Sequence, residues 1–119
     1  MNKHELEVGL GDFYGTDEWY RHALNRQMLY TDGVKFFAEN AGGGAYWFLD
    51  IVATELFRHQ VDQPFQHIRM TVGAAKARIT ADDGNGNYFW EKLIDYTDCP
   101  DGEWRFYLTD NVLLLPSEY

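Results

Sequence analysis

Residues 45–58, with the sequence AYWFLDIVATELFR, decide the fold of this chain. Apolar side chains occupy nearly every side of a 3.6-residue helix there, and only Asp50, Thr54 and Glu55 interrupt them. A helix that is apolar almost all round is buried on most sides. The stretch therefore predicts a central helix packed on a sheet. An acid in such a helix lies at its wet edge or is hydrogen-bonded inside, and Asp50 is the candidate for a buried functional acid.

Two stretches of alternating side chains follow this helix. Residues 67–72 place Ile68, Met70 and Val72 between polar neighbours, and residues 76–81 repeat the pattern. A period of two predicts strands that have one buried face and one solvated face.

Turn signals separate these strands from those that follow. The sequence DDGNGN at 82–87 holds the Asp-Gly and Asn-Gly pairs that hairpin turns require. Short strands are predicted beyond it at 88–96, at 104–108 and at 112–115. Consecutive short strands joined by tight turns predict an antiparallel meander.

The first part of the chain is predicted to be helical. Thr16, Asp17 and Glu18 have the composition of a helix start, a capping hydroxyl followed by acids. Residues 26–30 either extend that helix or form a first strand, and the pattern does not decide between them.

A second helix is predicted to begin at Thr31, which precedes Asp32 and Gly33, and to end at the three glycines 42–44. The resulting fold class is α+β, with N-terminal helices packed on one face of a C-terminal antiparallel β-meander. We expect a single domain across residues 1–119, mainly helical over 1–64 and built of antiparallel strands over 65–119.

The charge of the chain points to a basic partner. The 119 residues carry 19 acidic and 10 basic side chains, for a net charge of −9. Direct binding to nucleic acid needs clustered Lys and Arg, which the sequence lacks, so it is not expected. A host protein or protein complex with a basic surface is the expected partner. Acidic turns and one nearby aromatic residue form the predicted partner-binding set: Asp82, Asp83, Asp95, Asp98, Asp101, Glu103 and Tyr107.

No pattern predicts a metal, a cofactor or a catalytic residue. Asp83, Asn85 and Asn87 open like a calcium-binding loop, but Tyr88 stands where that loop needs glycine. The four histidines have no zinc spacing. Cys99 lies in an acidic turn, whose charges raise a thiol pKa and so oppose nucleophilic activation.

The compartment predicted is the cytoplasm. One cysteine cannot form an internal disulfide, residues 1–10 do not resemble a signal peptide, and no run approaches the ~18 apolar residues of a membrane span.

Five stretches of the sequence resemble a family of small uncharacterised proteins, a domain of unknown function found in bacteria, their phages and mobile elements. They are YTDGVK at 30–35, AYW at 45–47, DGNG at 83–86, YTD at 96–98 and LLLPSEY at 113–119. The resemblance implies a cytosolic one-domain protein in a mobile-element setting, and it implies no catalytic residues. The three glycines at 42–44 are a small expansion relative to the family.

Three hypotheses for the function follow. The leading one is a small acidic non-enzymatic interaction protein, a phage or mobile-element counter-defence inhibitor similar in kind to anti-CRISPR proteins, that occupies the basic surface of a nucleic-acid-binding host complex. The second is a small-ligand-binding domain or enzyme with a pocket between the 45–58 helix and the sheet, with Asp50 or Glu55 inside. The third is a self-associating structural module that forms a homodimer through a sheet edge such as 112–115.

Overall fold

The computed structural model describes residues 1–15 and 18–119. Three helices and seven strands appear in it: α1 Lys3–Leu10, β1 Trp19–Arg21, β2 Leu29–Thr31, α2 Asp32–Asn40, α3 Tyr46–Ile51, β3 Phe65–Gly73, β4 Lys76–Asp82, β5 Tyr88–Ile94, β6 Gly102–Thr109 and β7 Val112–Leu114. The predicted α+β fold class is confirmed. The helix start predicted at Thr16 and Asp17 lies outside the described residues.

One sheet contains all seven strands, in the order β1-β2-β7-β6-β3-β4-β5. Every neighbouring pair is antiparallel except β2 and β7, which run parallel. The strands β3, β4 and β5 are consecutive hairpins, whereas β6 crosses back to lie beside β3. Strand β7 lies between β2 and β6, so the predicted sheet edge at 112–115 is wrong, and the edges are β1 and β5.

The helices cover one face of the sheet. Alternate residues of β3, Ile68, Met70 and Val72, are buried beneath them, and the residues between point to the opposite, outer face. The central helix supplies Phe48 and Leu49 to the same core, and both are fully buried. The space between this helix and the sheet is thus filled by apolar side chains.

The predicted central helix is present, but its geometry changes along its length. Helix α3 continues as a π-helical turn, Val52–Leu56, and then as a 3₁₀ turn, Phe57–Val61. Such a turn disturbs the regular i to i−4 ladder of backbone hydrogen bonds. Two backbone carbonyls of this π-helical turn accept hydrogen bonds from side chains elsewhere in the chain. Asn25 donates to Ala53 O at 3.0 Å, and Gln66 donates to Leu56 O at 3.1 Å.

The N-terminal region contains strand where a helix was predicted. Trp19 and Tyr20 lie in β1 and pair with Thr31 and Tyr30 of β2. The undecided segment 26–30 ends in that second strand. Local sequence favoured a helix at Trp19, but the ladder with β2 supplies the partners, and strand propensity depends on such context. The N-cap predicted at Thr31 is confirmed, because its side chain accepts from Val34 N.

Candidate functional site

The acidic residues predicted to bind a partner do not form one surface. Asp82 is the clearest correction, because it is only 2% exposed. Its Oδ2 lies 3.0 Å from His67 Nδ1, and its Oδ1 accepts from Gly84 N at 2.8 Å. A buried carboxylate needs such partners to offset the loss of water. Asp82 therefore holds the start of the β4–β5 turn rather than meeting a partner.

Three further members of that set are engaged within the chain. Asp98 Oδ2 accepts from Gly43 N at 2.8 Å, which ties the β5–β6 connection to the glycine junction after α2. Asp83 accepts from Asn85 and Asn87 in its own turn, and the Asn87 side chain contributes most to lowering the pKa of Asp83. Glu103 Oε1 accepts a 2.7 Å hydrogen bond from Arg105 Nε.

The remaining members differ from one another in setting. Asp95 and Asp101 are exposed, as predicted for turn acids. Tyr107 is half-buried on the outer face of the sheet, where its ring packs 4.9 Å from Phe65 and 5.3 Å from Tyr119 between centroids. The predicted partner-binding residues therefore have different roles: some stabilise turns, one forms an ion pair, two are exposed to solvent and one packs in an aromatic cluster.

Asp50 is not a buried acid. Its side chain is 52% exposed, and its Oδ1 lies 2.8 Å from Nε2 of His22, which is 4% exposed. The His22 Nδ1 accepts from the backbone N–H groups of Leu24 and Asn25, so the ring proton is on Nε2 and donates to Asp50. Neither ring nitrogen is left to act as a base. This pair fastens the 22–25 turn to the central helix.

Glu55, the other acid expected in a pocket, also lies at the rim of the helix. Its carboxylate is 3.1 Å from Lys92 of the edge strand β5, and its side chain is 33% exposed. An inward-pointing lysine on an edge strand discourages pairing with another chain.

The Cys99 thiol is buried, with 4% exposure. Burial is the largest cause that raises its pKa, and the charge of Asp98 adds to it. The direction matches the prediction, although the sequence pointed to charge as the cause. Among residues 1–15 and 18–119, no group of three His, Cys, Asp or Glu side chains is placed to hold a metal ion. No helix in that part of the chain combines the length and apolarity needed to cross a membrane.

A cluster of tyrosines, missed by the sequence analysis, lies on the helix side of β1 and β2. The rings of Tyr20 and Tyr30 stack with centroids 5.7 Å apart, and Tyr46 of α3 interacts with the Tyr30 hydroxyl. The Lys35 ammonium of α2 is 4.4 Å from the Tyr20 ring centroid. Together with exposed Glu39, whose charge acts on all three hydroxyls, these residues form what we call the tyrosine patch.

The tyrosine patch is uncharged at its hydroxyls and acidic around them. Burial, followed by the proximity of Tyr30 and Glu39, raises the pKa of Tyr46 to about 12. A hydrogen bond to Glu18, 2.8 Å long, is the main cause that raises the pKa of Tyr20. All three hydroxyls therefore keep their protons at neutral pH, and the negative charge of this surface belongs to carboxylates.

Sequence reasoning could not assemble this patch because its members come from four elements. Tyr20 and Tyr30 become neighbours only through the β1–β2 pairing, and β1 was predicted to be helical. The one available signal was the number of aromatic residues, 17% of the chain, which exceeds what a small core needs.

Comparison with protein families gave a match that covers residues 4–119. The chain belongs to DUF6876, a family of unknown function. Neither the curated proteins nor the solved structures gave a match.

Proposed function

We propose that this DUF6876 member is a small non-enzymatic interaction domain whose tyrosine patch binds a basic surface of another protein. The observation that carries the proposal is the position of Lys35, whose ammonium nitrogen lies 4.4 Å from the centroid of the Tyr20 ring. A cation over an aromatic face is attracted by the ring quadrupole. A partner's Lys or Arg finds the same chemistry on the neighbouring rings.

Exposure and composition support this surface as an interface. Tyr46 is 41% exposed, Glu39 is exposed and its charge acts on Tyr46, and Glu18 is exposed where it accepts from Tyr20. Interface centres are enriched in Tyr and Trp, and charges around them steer the encounter with a complementary partner. The net charge of −9 adds a long-range attraction to any basic surface. Binding should therefore weaken as salt increases.

The protonation of the patch favours binding over catalysis. A tyrosine that acts as a base or a nucleophile needs a lowered pKa, whereas the pKa values of Tyr20, Tyr30 and Tyr46 are all raised. The Tyr20 hydroxyl already donates to Glu18, so the patch would recognise a basic side chain through its ring faces and its carboxylates.

The narrower form of the proposal concerns the partner. Stretches such as LLLPSEY at 113–119 resemble a family that we expect in bacteria, their phages and mobile elements, and a mobile element gains from blocking host defence. We propose that the partner is a host complex that binds guide or target nucleic acid, and that the patch competes for its basic groove. Such a groove carries the clustered Lys and Arg that the patch is suited to bind.

The test compares charge and ring variants in a pull-down from host lysate. Three forms of the full chain serve as bait. They are the wild type, a patch variant that combines Tyr46→Ala with Glu39→Lys, and a control variant that combines Asp62→Lys with Tyr96→Ala. The last variant is the matched control, since it also removes one exposed acid and one exposed tyrosine outside the patch. A protein retained by wild type and control, lost with the patch variant and released by salt supports the proposal. Recovery that is unchanged by the patch variant contradicts it.

The counter-defence form has its own readout. Plasmid or phage survival in a host with an active defence complex should rise when the wild-type chain is expressed and should fall back with the patch variant. A partner that is captured through the patch but binds no nucleic acid contradicts the narrower form and leaves the interaction domain in place.

A further inference from the structure

The outer face of the sheet, opposite the tyrosine patch, contains an open groove of about 580 Å³. Two directly opposed pairs on β3 and β4 form its floor: Arg69 faces Thr80, and Thr71 faces Arg78. Neighbouring rungs of an antiparallel ladder keep such side chains within reach of one another. Two guanidinium groups and two hydroxyls therefore project from one small rectangle of the sheet.

Hydrogen-bond donors outnumber acceptors in this groove. Neither hydroxyl of Thr71 and Thr80 has a hydrogen-bond partner within the described residues. Arg69 is 29% exposed. Its covered Nε has no hydrogen-bond acceptor among the described residues, but it lies 3.6 Å from Oε1 of Glu103 in an ion pair. Arg69 donates from Nη2 to the Tyr88 hydroxyl at 2.9 Å, which leaves the Tyr88 proton available.

Among the residues that the structure describes, Glu91 is the carboxylate that lines the groove, and it accepts from Arg78 Nε at 2.6 Å. Both side chains of this pair are exposed to solvent, and an exposed ion pair holds the arginine only weakly. A doubly charged anion would compete with it.

Basic residues concentrate on this face in spite of the acidic composition. The outward positions of the strands β3, β4 and β6 hold Arg69, Lys76, Arg78 and Arg105, four of the ten basic residues of the chain. These basic residues are far apart in the sequence, and only the pairing register of the strands brings them to one face.

We propose that the groove binds a small phosphomonoester that carries a flat ring, of the size and chemistry of a nucleoside monophosphate. Phosphate presents several acceptor oxygens, which two arginine forks and two hydroxyls can satisfy together. The Tyr88 ring, 56% exposed, forms a wall against which a base can stack. The volume lies within the range of about 300–1,000 Å³ typical of small-ligand sites. This site is separate from the proposed partner surface.

The experiment is a titration of the full chain with adenosine 5′-monophosphate, followed by amide and arginine Nε–H chemical shifts in NMR. We expect saturable shifts at Thr71, Thr80 and Tyr88 and at the side chains of Arg69 and Arg78. Orthophosphate should bind more weakly at the same residues. Adenosine and succinate should cause no saturable change, because one lacks the phosphate and the other lacks its tetrahedral set of oxygens.

Variants decide whether the proposed side chains hold the phosphate. Arg69→Gln and Arg78→Gln should each weaken binding by about tenfold or more, since a hydrogen bond to a charged group contributes about 1.5–3 kcal/mol. Glu91→Gln should strengthen binding, because it removes a competing and repelling carboxylate. Arg58→Gln, on the helix side, is the matched control and should change nothing.

Four results would overturn the proposal: no saturable shifts with adenosine 5′-monophosphate, equal binding of adenosine or succinate, weaker binding by Glu91→Gln, or tighter binding of a single-stranded DNA without a terminal phosphate. The last would assign the face to a nucleic-acid backbone. Glu91→Gln keeps the test valid if an arginine variant fails to fold.

Discussion

The Oγ1 hydroxyl of Thr31 donates a 2.6 Å hydrogen bond to Oε1 of Glu118, joining two residues that are 87 positions apart in the chain. The same hydroxyl accepts from Val34 N, and Glu118 accepts from Gly33 N at 3.2 Å and from Leu115 N at 2.9 Å. The N-terminus of α2 is thus capped from the last residues of the chain. A carboxylate there also meets the positive end of the helix dipole.

Removing this cap should destabilise the fold. Glu118→Ala leaves the Thr31 hydroxyl and Leu115 N without their acceptor, while Gly33 N keeps its hydrogen bond to Asp32 Oδ1. The free energy of unfolding should therefore fall by about 2 kcal/mol. Denaturant unfolding followed by tryptophan fluorescence measures it. Ser117→Ala is the neighbouring control, since it removes one exposed contact, to Phe13 O. Equal losses from the two substitutions would contradict the capping role.

The stability contribution of Glu118 should also depend on pH. Burial is the main cause that raises its pKa above the ordinary 4.5. A raised carboxyl pKa means that the folded state holds its proton longer than the unfolded state does. The part of the stabilisation that depends on this proton is fully present below pH 4.5 and is lost as pH rises through the folded pKa, whereas the cap contacts accepted by the carboxylate remain. Glu118→Gln cannot ionise, so its stability relative to wild type should rise across that window. A difference that stays constant with pH would show that the carboxyl is not perturbed.

Two glycines with the same backbone requirement should respond differently to alanine. Gly42 has φ +60°, and a Cβ there would lie 2.4 Å from the backbone oxygen of Asp98. Gly86 has φ +86° with nothing within 4 Å of such a Cβ. Gly86→Ala should cost about 1–2 kcal/mol, the strain of a left-handed residue alone. Gly42→Ala should cost clearly more, because the backbone of the β5–β6 connection must move. Chemical denaturation of both variants measures the gap, and equal costs would show that this connection yields easily.

Much of the fold was predictable where the signal is local. Four predicted features depend only on residues that are close in sequence. They are the helix cap at Thr31, the glycine turn after α2, the DGNG turn and the strands with a period of two. The strand β1 was mispredicted as helix because its partner β2 decides its structure. Strand β7 was placed at an edge because nothing local shows that a parallel strand from the first half of the chain covers it.

The candidate sites were harder to predict than the fold. Asp82 has the sequence context of an exposed turn acid, yet the β3–β4 register puts His67 directly opposite and covers it. Arg69 and Arg78 are nine positions apart and meet only through that register. The stretches YTDGVK at 30–35, YTD at 96–98 and LLLPSEY at 113–119 contain residues that hold the fold together in this chain, since Asp98 bonds to Gly43 and Glu118 bonds to Thr31.

The β3–β4 turn should be open to stabilisation. Ala74 and Ala75 have φ +53° and +61°, a conformation that alanine adopts with strain. The pair Asn-Gly suits a two-residue turn with both residues left-handed. Ala74→Asn with Ala75→Gly should therefore raise the free energy of unfolding by about 1 kcal/mol. Ala77→Gly, inside β4, is the control and should lower it by about 0.5–1 kcal/mol. A loss from the turn variant would contradict the assigned backbone.

Tyr46 should ionise last among the tyrosines of the patch, and this can be read from the tyrosinate absorbance during an alkaline titration. Its pKa is raised to about 12, mainly by burial. The folded state then keeps a proton that the unfolded state releases near pH 10, so the stability that Tyr46 contributes is present below pH 10 and is lost as pH rises toward 12. Tyr46→Phe should remove one late-ionising group and make unfolding less sensitive to pH in that window. Tyr96→Phe, which removes an exposed ring outside the patch, should leave the late step in place. If Tyr46→Phe left the last ionisation step unchanged, the late-ionising group would not be Tyr46, and the assigned burial of its hydroxyl in the patch would be wrong.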